Sequence, residues 1–216
     1  RVLVNSDLKQ SKLVYQYEDR PKSIFLNING REPLALFGGD INCAIIDSEG
    51  AILLITKSIY DNPNKIIETI FLPNNEKTVS VACCNHFIIA LSATGHVYES
   101  PIDPNRPSQI IFKPVEELFD KKISQISGTF EHCFAVCKDA RVFGRGSNKF
   151  GQLALGKGIE KVDIFTEIQA LSKYEVKNAS AGVSHSLFQT AEGKVLACGN
   201  NFIGQLLLSS GLKKRQ

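Results

Sequence analysis

The 216-residue sequence predicts an all-β protein assembled from repeated small antiparallel sheets. Three observations carry that prediction. One stretch recurs at a fixed offset of 53 residues, marked by His132 and His185, by Gly146 and Gly199, and by Gly151 and Gly204. Equal offsets at separated anchors mean a repeated structural unit. Inside each copy an apolar run follows the histidine, then a turn at Asp139-Ala140 or Glu192-Gly193, then a second apolar run. Two short runs around such a turn read as a β-hairpin. Fainter copies lie upstream: aligning Gly50 and Gly95 with Gly193 puts Asn42 and Phe87 at the histidine position.

Taken in order, residues 1–20 hold two apolar runs, Val2–Val4 and Leu13–Tyr17, with turn chemistry at Asn5, Ser6 and Asp7 between them. They read as the tail of a sheet. Ser23–Leu26 reads as an edge strand before the Asn29-Gly30 turn. Anchors then fall at 42, 87, 132 and 185, and the last step is longer because of the loop 151–158. Just before each anchor sit small residues: Gly38-Gly39, Cys83-Cys84, Gly128-Thr129 and Ala181-Gly182. Small side chains suit inner strands crowded around a shared centre. Extended outer strands are expected at 67–71, 114–118 and 165–168; Pro114 is tolerable on an edge, where not every N–H must donate. Short helical turns are expected at 115–122 and near 168–173. Units of this size and hairpin content read as blades of a β-propeller. The expected divisions are a partial blade over 1–31, repeats over 32–76, 77–121 and 122–174, and an incomplete repeat over 175–216.

Bulk properties bound the function. Twenty-five basic and 22 acidic residues leave a net charge of +3, too balanced to argue for nucleic acid. The tight basic clusters, Lys121-Lys122 and Lys213-Lys214-Arg215, read as solvated charge. No apolar run approaches the ~18 residues needed to cross a membrane as a helix. The chain starts at Arg1 and contains no Met, so it is expected to be a piece of a longer protein. The six cysteines show no paired metal-ligand spacing and mostly sit in apolar runs, as reduced thiols would in a cytoplasmic or nuclear protein.

The repeat has a recognisable grammar: small residues ahead of a His-Ser pair, an apolar strand, Glu192-Gly-Lys-Val195, a strand ending in Gly199-Asn-Asn, then Gly204-Gln-Leu206. This resembles the repeat of the regulator of chromosome condensation family. The match is best over residues 126–206 and survives only in outline over 32–121. The resemblance implies a seven-bladed propeller. This chain would then supply four to five blades of a ring completed by residues outside it or by another chain.

Few residues in the sequence could carry chemistry. The glycine loop 144–151 lacks the Gly-Lys-Ser/Thr ending of a phosphate-binding loop, and it recurs at 199–204. His132 and His185 occupy equivalent places in successive blades, so they are expected to bond nearby backbone rather than to converge on one site. His86 and His96 show no acidic or Cys partner at a useful spacing. The sequon Asn178-Ala-Ser180 lies in an expected inner strand, and Asp47, Asp139 and Glu192 in turns. No catalytic residue, cofactor site or metal site stands out. Gly146, Gly151, Gln152, Gly193, Gly199, Gly204 and Gln205, with the two histidines, are read as structural repeat positions. Lys149 and Lys157 are the candidate partner-binding residues of the rim. Leu187, Val195, Phe134, Val142, Ile45 and Ile88 are expected in the core, and Phe150 and Phe202 between blades. The resulting expectation is a non-enzymatic scaffold for a protein partner. The alternative, implied by the resemblance, is guanine-nucleotide exchange on a Ran-type small GTPase, with or without chromatin association.

Overall fold

A computed structural model describes residues 2–5, 12–17, 20–27, 31–38, 43–55, 69–102 and 110–206. The segments around Asn29-Gly30, Gly39–Asn42 and Lys213–Arg215 lie outside these residues. Among the described residues, five antiparallel sheets follow one another along the chain. The first is built from β1 (Val2–Asn5), β2 (Lys12–Tyr17) and β3 (Arg20–Asn27), and β3 is an edge strand. The second holds β4 (Pro33–Gly38), β5 (Cys43–Asp47), β6 (Ile52–Ile55) and β7 (Thr69–Ile70). The third holds β8 (Thr78–Cys83), β9 (Phe87–Ser92), β10 (Val97–Pro101) and β11 (Lys113–Pro114). The fourth holds β12 (Ile123–Thr129), β13 (His132–Cys137), β14 (Val142–Ser147) and β15 (Lys161–Glu167). The fifth holds β16 (Val176–Ala181), β17 (His185–Thr190) and β18 (Val195–Gly199).

Each of these sheets is a simple meander, and the first strands β4, β8, β12 and β16 lie against one another from sheet to sheet. That is the blade arrangement of a partial propeller, with first strands innermost. Its core lies between blades rather than inside any one of them. Ala44, Ile46 and Leu54 meet Val81, Ile88 and Phe112; Ile89, Leu91 and Leu118 meet Ile126, Ala135 and Phe165; Phe134, Val136 and Leu153 meet Val176, Ala179 and Phe188. A blade covered on both sides buries both faces of its middle strand. This is why β5 and β13 are buried at every position and read as unbroken apolar runs instead of alternating ones.

The register fixes two rims. His132 pairs with Gly146 and His185 with Gly199, so loops 130–131, 182–184, 148–160 and 200–206 gather at one end, the histidine rim. The hairpins at 48–51, 93–96, 138–141 and 191–194 gather at the other. In these four blades a turn residue has a positive φ: Gly50 (84°), Gly95 (91°), Ala140 (71°) and Gly193 (80°).

Two expectations need correction. The helical turns are single 3-10 turns at Glu116–Leu118 and Gln169–Leu171, each burying one leucine. Of the expected core, Phe134, Val142, Ile45 and Ile88 are buried, but Leu187 is only half-buried and Val195 is 63% exposed. The sequence pattern in blade five matches that of blade four, but no described blade covers the far face of blade five. Phe188, on the covered face, takes the buried role there.

Candidate functional site: the histidine rim

The histidine rim is held together from inside. His132, at the start of β13, is fully buried, and its Nε2 lies 2.9 Å from the Ser186 hydroxyl of the next blade. Ser186 Oγ in turn donates to the Gln152 carbonyl at 2.8 Å, and the Cys198 thiol donates to the same oxygen at 3.2 Å. Burial, and after it the neighbouring His185, pushes the His132 imidazole down to about 4, so it is neutral at physiological pH. The two histidines are therefore not independent features of separate blades, as the spacing suggested. His132 reaches across the blade boundary to a side chain, and His185 is near enough to influence it electrostatically. His185 itself is half-buried, its ring packed where a Cβ on Gly182 would overlap it.

Gly146 and Gly199 are required by the same crossing. Both have a positive φ, 111° and 103°. A Cβ at Gly146 would overlap the Glu131 carbonyl, and one at Gly199 would sit 2.6 Å from the Ser184 carbonyl. Gly151, Gly204 and Gly193 also have positive φ but open space around them, so their requirement is conformational.

Beyond each of these glycines comes a turn built twice in the same way. Asn148 Oδ1 accepts from the Leu153 amide at 2.8 Å and Gln152 Oε1 from the Phe150 amide at 2.9 Å. In the second copy Asn201 Oδ1 accepts from Leu206 at 2.9 Å and Gln205 Oε1 from Ile203 at 3.0 Å. Side-chain carbonyls thus satisfy backbone donors that a loop would leave to water. The turn drives Leu153 and Leu206 inward, where both are buried, and throws the intervening residues outward.

That geometry overturns the inter-blade role expected of Phe150 and Phe202. Phe150 is 57% exposed and Phe202 is 93% exposed. The two are not even equivalent: the 53-residue offset carries Phe150 onto Ile203 and Lys149 onto Phe202. Applied strictly, the repeat would have shown this, and would have pointed to Leu153 and Leu206 as the buried pair. Lys149 and Lys157 are both exposed on this rim, in the turn and in the following loop. Asn148 closes that loop by donating Nδ2 to the Ile159 carbonyl at 2.7 Å.

Several tertiary contacts had no sequence signal. Arg145 in blade four reaches back to blade three, its guanidinium 2.5 Å from Glu99 and lying between the Phe87 and Phe165 rings at 4.4 and 5.0 Å. Gln125 in β12 bonds both the N–H and the C=O of Ala179 in β16, at 3.0 and 2.9 Å, as a strand backbone would. At the opposite rim His96 does have an acidic partner: its Nδ1 lies 3.0 Å from Glu76 Oε1, and the ring stacks on Phe119. Burial alone would raise the Glu76 carboxyl, but Ser92, Thr94, His96 and Tyr98 outweigh it and hold the group down to about 2. The arrangement ties loop to hairpin. Among the described residues there is no group of three or more His, Cys, Asp or Glu that could hold a metal ion, and no helix long and apolar enough to cross a membrane. Cys83, Cys84, Cys133, Cys137 and Cys198 form no disulfide. Burial pushes the Cys83 and Cys198 thiols up to about 12, where they act as small apolar groups.

The family model for the regulator of chromosome condensation repeat matches residues 139–189, the segment that runs from the fourth blade's hairpin into the fifth blade's middle strand. The chain carries the regulator of chromosome condensation repeat. Among curated proteins with related sequence, the ultraviolet-B receptor UVR8 of Arabidopsis thaliana is 28% identical over 68% of this chain and 35% of its own length. The probable E3 ubiquitin-protein ligase HERC6 of Homo sapiens is 31% identical over 74% of this chain and 16% of its own length. The secretion-regulating guanine nucleotide exchange factor of Bos taurus is 34% identical over 43% of this chain and 20% of its own length. The matched region thus covers about a third or less of each of these relatives. Among solved structures, Prp20p of Saccharomyces cerevisiae, described with its binding to Gsp1p and histones, superposes with a TM-score of 0.60 at 18% identity, over 79% of this chain and 44% of that one. At that identity the likeness shows the fold. The described residues form the partial propeller expected from the regulator of chromosome condensation repeat.

Proposed function

We propose that this propeller segment is an interaction scaffold whose histidine rim docks a protein partner. The observation that carries the reading is the pair of equivalent turns at 148–153 and 201–206. Each is locked by its own Asn and Gln, and each presents large apolar side chains to solvent: Phe150 in one, Phe202 and Ile203 in the other. Exposed apolar groups are usually scattered; here they sit on rigid turns one repeat apart, as binding residues on a fixed frame do. Lys149 and Lys157 supply positive charge beside them. The expected setting is cytoplasmic or nuclear, and the blades that would complete the ring are expected from residues outside this chain or from another chain.

The scaffold reading is tested by placing a photo-crosslinking residue at 150, 202 or 203 in the protein as expressed in cells, with position 79 on the innermost strand β8 as control. Adducts to one protein from the turn positions and none from position 79 support it. Equal yields from all positions sink it.

A second reading is favoured by the exchange-factor relative and by the binding of Prp20p to Gsp1p. It is nucleotide exchange on a Ran-type GTPase, which levers open the partner's site and needs no nucleophile of its own. Accelerated release of labelled GDP by several orders of magnitude would establish it in place of a passive scaffold; an unchanged release rate removes it.

A further inference from the structure

We propose that Cys84 and Cys133 form a redox site in the joint between the third and fourth blades, where hydrogen peroxide converts the two thiols to a disulfide. This site is separate from the rim turns and does not depend on the rim reading.

The backbones of both blades assemble the pair. Cys133 lies in β13, directly opposite Gly128 of β12 on one side and Arg145 of β14 on the other. Directly opposed residues of antiparallel strands share a face of the sheet. Gly128, Cys133 and Arg145 therefore form one row, and Cys133 packs there with Ala82, Cys84 and Ile89 of blade three. Gly128 has no side chain, and Cys84 fills the space this leaves. A Cβ at Gly128 would lie 2.9 Å from the Cys133 Cβ and 3.0 Å from the Cys84 Sγ. The backbone beside Cys84 is itself fixed. The Cys84 N–H donates to the Phe87 carbonyl at 3.0 Å, and the Asn85 N–H donates to the Phe130 carbonyl of blade four at 3.0 Å. The two sulfurs are thus neighbours held by two rigid sheets.

Two donors converge on the Cys133 sulfur. The Cys84 thiol donates to it, and this bond, with burial after it, pushes the Cys84 thiol up. The Arg145 guanidinium donates to it as well; burial opposes the guanidinium's charge, but Cys133 and Glu99 outweigh that. A cation and a second thiol are the surroundings of reactive sulfurs, whereas a buried cysteine in apolar surroundings is inert. Cys84 and Cys133 are 2% and 0% exposed, which shuts out bulky oxidants. The polar path from solvent runs along the Arg145–Glu99 pair, whose side chains are 11% and 37% exposed. That path suits a small oxidant that itself donates and accepts hydrogen bonds.

The chemistry balances with peroxide alone. The Cys133 sulfur attacks one peroxide oxygen, the O–O bond breaks, and the departing hydroxide takes the thiol proton and leaves as water. Cys133 is then a sulfenic acid. The Cys84 sulfur attacks the Cys133 sulfur, the S–O bond breaks, and the hydroxyl leaves with the Cys84 proton as a second water. Two thiols have lost two electrons and two protons, and the peroxide has been reduced to water.

The test treats the folded full-length protein with hydrogen peroxide at neutral pH. Remaining thiols are then blocked with N-ethylmaleimide in denaturant, and unreduced peptides are read by mass spectrometry. A Cys84–Cys133 link should form and disappear with dithiothreitol. Cys83→Ala and Cys137→Ala should leave its yield unchanged, which separates the pair from its sequence neighbours. Cys84→Ala should leave Cys133 as a sulfenic acid that dimedone traps, roughly tenfold above the label found on Cys84 in Cys133→Ala. Far-ultraviolet circular dichroism checks that both variants fold, and the link in the parent needs no variant. The proposal is overturned if the folded parent gives no link, if the link forms only in urea, or if Cys83 or Cys137 proves to be a partner in it. Dimedone labelling that favours Cys84 over Cys133 would overturn the order of attack.

Discussion

His132 Nε2 and Ser186 Oγ lie 2.9 Å apart across a blade boundary, one residue from each of two successive repeats. The bond is buried on both sides, and it places the most repeat-like residue of the sequence inside the joint between blades. An imidazole in that position is stable only when neutral, and this gives it a pH signature.

The sign follows from the direction of the shift. His132 titrates near 4 in the folded protein against an ordinary 6.5. Between those values the unfolded chain binds the proton that the folded chain refuses. Stability is therefore complete above 6.5 and is lost as pH falls toward 4, by at most roughly 3 kcal/mol from this group. Urea midpoints measured from pH 7 to pH 4 should fall more steeply for the parent than for His132→Gln, which cannot take up the proton. Parallel curves would show that His132 is not the group responsible.

Glu76 gives the complementary window at lower pH. Its carboxyl is held near 2 against an ordinary 4.5 by the hydrogen bonds it accepts. Its contribution is present above 4.5 and disappears as pH falls through 2. Glu76→Gln should cost about 1–3 kcal/mol at pH 7, where the charged acceptor is lost, and much less at pH 2.5. An equal cost at both pH values would contradict the assignment.

Arg145 should be sensitive to shape as well as charge. Its guanidinium is stacked between Phe87 and Phe165 while pairing with Glu99. Arg145→Ala is expected to destabilise by about 2–3 kcal/mol, the pair being partly exposed at Glu99. Arg145→Lys should recover little, since an ammonium cannot stack as a planar group does. Full recovery by lysine in a thermal melt would mean that only the charge matters.

Leu153 and Phe202 separate packing from presentation. Leu153→Ala empties a buried site and should cost about 2–5 kcal/mol. Phe202→Ala should stay within about 0.5 kcal/mol of the parent, and should lower affinity for whichever protein crosslinks to the rim. Reversed melting behaviour would return Phe202 to the core.

Gly199→Ala tests the crossing itself. At φ 103° and 2.6 Å from the Ser184 carbonyl, an added methyl meets both backbone strain and overlap. A loss of at least about 2 kcal/mol is expected, whereas Gly151→Ala, with open space around it, should lose less. Equal losses would place the requirement in φ alone.

The repeat spacing, the paired apolar runs and the turn glycines were enough to give strands, hairpins and the propeller class. These are local matters: a strand's pattern and a turn's φ are set by residues a few positions apart. Gln152, Gln205, Gly146 and Gly199 were legible as repeat positions for the same reason. What lay beyond reach was every relation across a blade boundary. Phe150 and Phe202 looked like core aromatics because both precede a Gly-Gln-Leu; only the closed turn, with Asn148 and Gln152 bonding its backbone, decides that the leucine enters and the aromatic leaves. Val195 and Val142 have the same local sequence setting and opposite exposure, because burial in this fold belongs to the neighbouring blade. Arg145 with Glu99, His96 with Glu76 and Gln125 with Ala179 join residues 20 to 54 positions apart. Nothing in the sequence pairs them, since side-chain meetings at that range depend on how one rigid sheet comes to rest on the next.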